Sequence, residues 1–151
     1  IGTEDRVMTR HRVADFVGVS TEPRRGVEKP VGPYEFFTDG GVHVYLHDAD
    51  FLGLVWLPSG TFRFYFVYSA EWTPPEALAT PVVERTCAEV EVSRWETVMD
   101  VLQDTEHGGQ VSDFAWDGAD GFDFSTFTLD LSFSAARMEA RLLEAAPSAL
   151  S

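Results

Sequence analysis

The chain has 151 residues, 44% of them hydrophobic, with 12 Phe, 4 Trp and a formal net charge of −14. That length suits one domain that buries about 70% of the surface its unfolded form exposes, and that composition excludes a disordered chain. The charge argues against direct nucleic-acid binding, because a phosphate backbone is held by clustered Lys and Arg.

The charge is unevenly spread. Residues 1–33 carry six basic side chains (Arg6, Arg10, Arg12, Arg24, Arg25, Lys29) against five acids, so residues 34–151 carry five against twenty, a net of −15. Such a body attracts a positively charged protein and steers it in; its simpler use is solubility. Cys87 is the only cysteine. No intrachain disulfide and no thiolate zinc site can form, which favours a reducing, cytoplasmic setting. The longest apolar stretch, FLGLVWL, stops at Pro58, too short for a membrane span.

Taken in chain order, residues 1–12 are expected to be flexible, and VADFVGV (13–19) is a short apolar segment. Residues 20–37 hold three prolines and much of the basic charge, and read as a Pro-rich loop or arm. GGVHVYLHDADFLGLVWL then reads as one or two strands, followed by a turn at Pro58–Gly60. In TFRFYFVYS, Phe62, Phe64, Phe66 and Tyr68 share one face and Arg63, Tyr65 and Val67 the other, so this strand closes a hairpin on the previous one.

VVERTCAEVEVSRW resumes alternation, with Ala88, Val90 and Val92 opposed to Glu89 and Glu91 on a wet face. Helical spacing of Trp95, Val98, Met99 and Leu102 allows a brief helical turn. QVSDFAWDGADGFDF reads as a strand with a Gly-Asp turn behind it. FTLDLSF points Phe127, Leu129, Leu131 and Phe133 inward, and Ala136, Met138, Ala140 and Leu142 continue the alternation in the opposite phase. A phase change near Ala135 is what a bulge produces, so a long bulged strand is favoured over a terminal helix although the residues are good helix formers. The expected fold is mainly β: a single-domain antiparallel sheet, sandwich or open barrel, with at most one or two short helices.

Candidate chemistry is sparse. His43 and His47 have the spacing of two zinc ligands on a helix, but on a strand four residues separate them by about 13 Å, too far to share an ion. His47 with Asp48 or Asp50 could form an acid/base dyad. Adjacent strand residues face opposite ways, so His47 and Asp48 read instead as structural polar groups at a bend. Asp117, Asp120 and Asp123 lack calcium-loop spacing. No serine or cysteine nucleophile motif and no phosphate-binding glycine loop occurs. No catalytic, cofactor-binding or metal-binding residue is therefore expected.

The order HDADFLGLVWLPSGTFRFYF, then CAEVEVSRWETVMDV, then FTLDLSFSAARMEARL resembles small bacterial immunity proteins of the immunity protein 50 type over residues 43–144, His47-Asp48-Ala49 being its most distinctive element. The chain carries Ala88-Glu89-Val90 where that pattern has a Phe-Gly type turn. The resemblance implies a cytoplasmic, non-enzymatic protein that binds and blocks a cognate toxin. Such a partner is basic, and Glu89, Glu91, Asp117 and Asp120 are the candidate contacts. The alternative is a small β-barrel enzyme or ligand-binding protein, with Trp56, Tyr65, Trp95 and Trp116 walling a pocket. A filled core with one flat acidic face would favour the binder.

Overall fold

The computed structural model describes residues 12–20, 33–47, 49–67, 79–97, 110–126 and 128–148. The expectations for residues 1–11 and 21–32, for Asp48, Tyr68 and Phe127, and for Val98, Met99 and Leu102 lie outside these. Eleven strands are present among the described residues: β1 (Asp15–Val17), β2 (Glu35–Phe37), β3 (His43–Tyr45), β4 (Asp50–Leu57), β5 (Thr61–Val67), β6 (Val82–Ala88), β7 (Glu91–Thr97), β8 (Val111–Trp116), β9 (Gly121–Thr126), β10 (Leu129–Ser134) and β11 (Arg137–Leu143). They form a five-stranded sheet, β1-β11-β6-β5-β4, a four-stranded sheet, β7-β10-β9-β8, and the small pair β2-β3. The protein is mainly β, as the alternation predicts; β1 beside β11 is a parallel pairing within otherwise antiparallel sheets.

The two larger sheets face each other across a phenylalanine core. Phe62, Phe64 and Phe66 alternate along β5 and are withdrawn from solvent, as are Phe114, Phe122, Phe124 and Phe133 from the other sheet. Phe64 meets Phe114 and Phe124 with ring centroids 5.2 Å apart in each case and Phe133 at 5.7 Å. Mixed tilted and stacked geometries are those aromatic quadrupoles favour, and each buried Phe contributes about 1.5–3 kcal/mol relative to exposure.

One long ribbon supplies both sheets. β6 and β7 are consecutive, β10 and β11 are consecutive, and β6 pairs with β11 while β7 pairs with β10. The ribbon folds over between Ala88 and Glu91 on one side and at Ala135–Ala136 on the other. Burial passes from odd positions (Leu129, Leu131, Phe133) to even ones (Met138, Ala140) across that fold. Residues 137–143 are strand, because bending the ribbon lets both halves bury an apolar face, which outweighs helix propensity.

The run through HDAD is two strands, one of the two readings expected, with His47 in the turn between them and the Ala49 N–H donating to the Leu46 carbonyl at 3.0 Å. Three sequence expectations need correction. Residues 35–37 of the supposed loop are β2, paired antiparallel with β3. Trp95 lies in β7, so the described part of WETVMDVL is strand. Glu89 is not on a strand with Glu91: it occupies the fold of the ribbon with φ 53°.

Candidate functional site

The outer face of the four-stranded sheet follows from the inward phase of its aromatics. Because Phe114, Phe124, Leu131 and Phe133 point into the core, the residues between them point out. Along one row the register sets Asp113 beside Ser125, Ser125 beside Asp130 and Asp130 beside Glu96; along the next, Ala115, Asp123, Ser132 and Arg94 are neighbours. Glu91 stands opposite Ser134. Five carboxylates thus share this face with one arginine. Asp130 and Glu96 are direct cross-strand neighbours, an arrangement of like charges that costs stability. The Ser132 hydroxyl donates to Asp123 at 2.5 Å.

The other outer face is mixed in charge. On the five-stranded sheet the outward positions set Arg63, Arg137 and Arg141 among Asp15, Asp50, Glu84 and Glu139. Negative charge is therefore concentrated on one side of the sandwich, where it produces a directed field.

Of the proposed contact residues, Glu91 belongs to the acidic face and Glu89 is exposed at the ribbon's fold. Asp117 and Asp120 lie in the β8–β9 turn with structural work to do. The Asp117 carboxylate accepts the N–H groups of Ala119 and Gly121 at 2.7 and 3.1 Å, closing the turn. Asp120 is 2.9 Å from the Arg12 guanidinium, tying the start of β1 to that turn. The sequence reading missed Glu96, Asp113, Asp123 and Asp130. The signal was present for two of them: in FDF and LDL each Asp alternates with inward apolar residues, so period two places Asp123 and Asp130 on outer faces, whereas Asp113 follows a bulge after Val111.

His47 sits beside Tyr34, whose hydroxyl is 3.1 Å from its Nδ1, and its ring stacks on Tyr45 with centroids 5.4 Å apart. The strip continues through His43 to Phe37, and His43 Nε2 is 2.7 Å from Glu35. These contacts hold the β2-β3 pair together. Among the described residues no group of three His, Cys, Asp or Glu side chains is placed to hold a metal ion.

The four aromatics of the pocket alternative do not line one space. Trp56 and Trp95 stack on each other, centroids 6.1 Å apart, at the edge where the two sheets approach. Trp116 packs on Phe16 and donates to the Ala119 carbonyl at 2.7 Å. Tyr65 is on the outer face of β5, where it donates to Glu84 at 2.7 Å. Although outward, Tyr65 and Glu84 are only 2% and 8% exposed, so this part of the outer face is covered. Burial and the Glu84 carboxylate push the Tyr65 phenol up to about 12.

Arg85 is the other residue the sequence reading missed. It shares the inner face of β6 with Val83 and Cys87, is 0% exposed, and its guanidinium lies over the Phe36 ring. The alternating frame V-x-R-x-C carried that position, but a charged residue in it reads as outward until the strand's phase is known.

The fold and this face define a β-sandwich with one strongly anionic sheet surface. Comparison with family models, curated proteins and solved structures found no match.

Proposed function

We propose that the protein works by binding a positively charged protein, and, on the resemblance of residues 43–144 to immunity protein 50, that it neutralises a cognate bacterial toxin without catalysing a reaction. The observation that carries this reading is the acidic sheet face: Glu91, Glu96, Asp113, Asp123 and Asp130 against Arg94. Keeping Asp130 next to Glu96 costs stability, and a cationic partner relieves it. The aromatic-pocket alternative gains nothing from four side chains that line no common space.

The test is capture from an extract of the native host with the intact protein as bait, beside a variant carrying Asp123→Lys and Asp130→Lys. A basic protein retained by the first and not the second, released by salt, and toxic unless this chain is co-expressed, is the expected result. Retention that ignores both salt and charge reversal would remove the acidic face from the account.

A further inference from the structure

We infer that the free edge of β7 is a strand-addition site for an extended partner segment in which apolar and basic side chains alternate. This rests on the reading of the chain as a binder of a basic protein and names the part of the molecule that receives it. Among the described residues β7 is hydrogen-bonded to β10 alone, so no described strand pairs with the opposite side of its backbone. Every residue from Glu91 to Thr97 except Val92 is exposed.

The other edges are less available. The start of β4 is engaged, since Asp50 bridges Gln110. So is the start of β8, since Val111 donates to Ala49 at 3.0 Å beside that bridge. β1 has three residues.

The two sides of β7 differ in chemistry. Trp95 and Thr97 stand opposite Leu131 and Leu129, on the inner side, whereas Arg94 and Glu96 stand opposite Ser132 and Asp130, on the outer side. Trp95 is 45% exposed and stacked on Trp56, which is 57% exposed, so two indoles form one apolar patch at the edge. Tryptophan so placed is the kind of side chain that anchors interfaces. A strand added to β7 continues the pleat. Its alternate residues would fall on the indoles and beside Arg94 and Glu96, with Glu91 further along the same edge, and the backbone would supply the hydrogen bonds.

Charge decides the occupant. A second copy of the chain would bring together two molecules that each carry a net charge of −14, whereas basic side chains at alternate positions are attracted. The bulge at Ser93 and the charges on β7 are the usual guards against edge-to-edge self-association. They discourage a copy without excluding a strand of opposite charge.

Three dye-labelled octapeptides test this with the full chain: one alternating Val and Arg, one with the same residues in two blocks, and one alternating Val and Glu. Fluorescence anisotropy should show the first binding at least about tenfold more tightly than the other two. Amide hydrogen exchange should slow in β7 and in no other edge strand. Trp95→Ser should weaken binding about tenfold with the circular dichroism unchanged; if that variant does not fold, exchange on the wild type still decides. Equal binding of blocked and alternating peptides without protection of β7 overturns the edge site while leaving a charge-driven acidic face standing. No binding of either basic peptide, together with no basic protein captured from the host, overturns both. A dimer of the protein alone that Trp95→Ser dissolves would assign the edge to a second copy instead.

Discussion

The guanidinium carbon of Arg85 lies 4.1 Å from the centroid of the Phe36 ring, and both side chains are wholly withdrawn from solvent. A cation in such a place loses its hydration, and that loss pulls the Arg85 pKa down from its ordinary value to about 9, which leaves it charged at neutral pH. The ring face returns part of the loss, about 2 kcal/mol where the pair is desolvated. Because Phe36 comes from β2 and Arg85 from β6, this contact fastens the small β2-β3 pair to the five-stranded sheet.

That contact predicts coupling. In a double-mutant cycle by urea denaturation, Phe36→Leu should destabilise the protein by about 0.5–2 kcal/mol more when Arg85 is present than in an Arg85→Met background. Additive effects would mean that the ring acts on Arg85 only as filling.

Tyr65 predicts a feature of the alkaline limb. Its phenol is an acid whose folded value, about 12, exceeds its ordinary 10.0, so the folded state holds a proton that the unfolded chain releases first. The stability it contributes is complete below pH 10 and is lost as pH rises toward 12. Tyr65→Phe should lower stability at neutral pH by about 1–3 kcal/mol, because Glu84 loses its phenol donor in a buried position. The difference from wild type should shrink between pH 10 and 12, read from denaturation midpoints at each pH.

Glu89 holds a left-handed conformation that costs a residue with a side chain about 1 kcal/mol. Glu89→Gly should therefore raise the melting temperature, by about 0.5–1 kcal/mol of added stability, and Glu89→Val should lower it. The opposite order would show that the Glu89 side chain supports the bend of the ribbon through contacts of its own.

Gly18 predicts a sharp penalty. Its φ is 79°, and a Cβ there would run into the Ala140 carbonyl oxygen, which is backbone and cannot swing aside. Gly18→Ala should cost more than the roughly 1 kcal/mol expected of conformation alone, and should do so by loosening β1 from β11. Chemical denaturation gives the size, and amide exchange in Asp15–Val17 gives the place.

The acidic face predicts salt-dependent association. With the captured partner, the on-rate should fall as the Debye length shortens from about 30 Å at 0.01 M to about 8 Å at 0.15 M salt. Asp123→Lys with Asp130→Lys should flatten that dependence in stopped-flow measurements. Glu89→Lys should change it less, since Glu89 sits at the bend and outside the rows of the face.

The alternating runs of β5, β9 and β10 were legible in the sequence because a strand's side-chain period is local. Phe62, Phe64 and Phe66, the turn at Pro58–Gly60, and the shift of phase at Ala135 each declare themselves within about ten residues. Period two also carries Asp123 and Asp130 outward, although the sequence reading did not draw that conclusion. β8, β9 and β10 follow one another as hairpins, but tertiary structure alone decided that β7, with Glu91 and Glu96, joins their sheet, because its pairing with β10 links residues that no short window contains. The same is true of Arg85, whose inward position depends on how β6 registers against β5 and β11, and of Trp56 and Trp95, which lie on different sheets and meet only at their edges. Where β2 and the bend at Glu89 escaped the reading, the local pattern was too short or continued through the break. In both places strand boundaries follow from partners far along the chain, since backbone hydrogen bonds and burial reward a segment only after the rest of the sandwich has assembled around it.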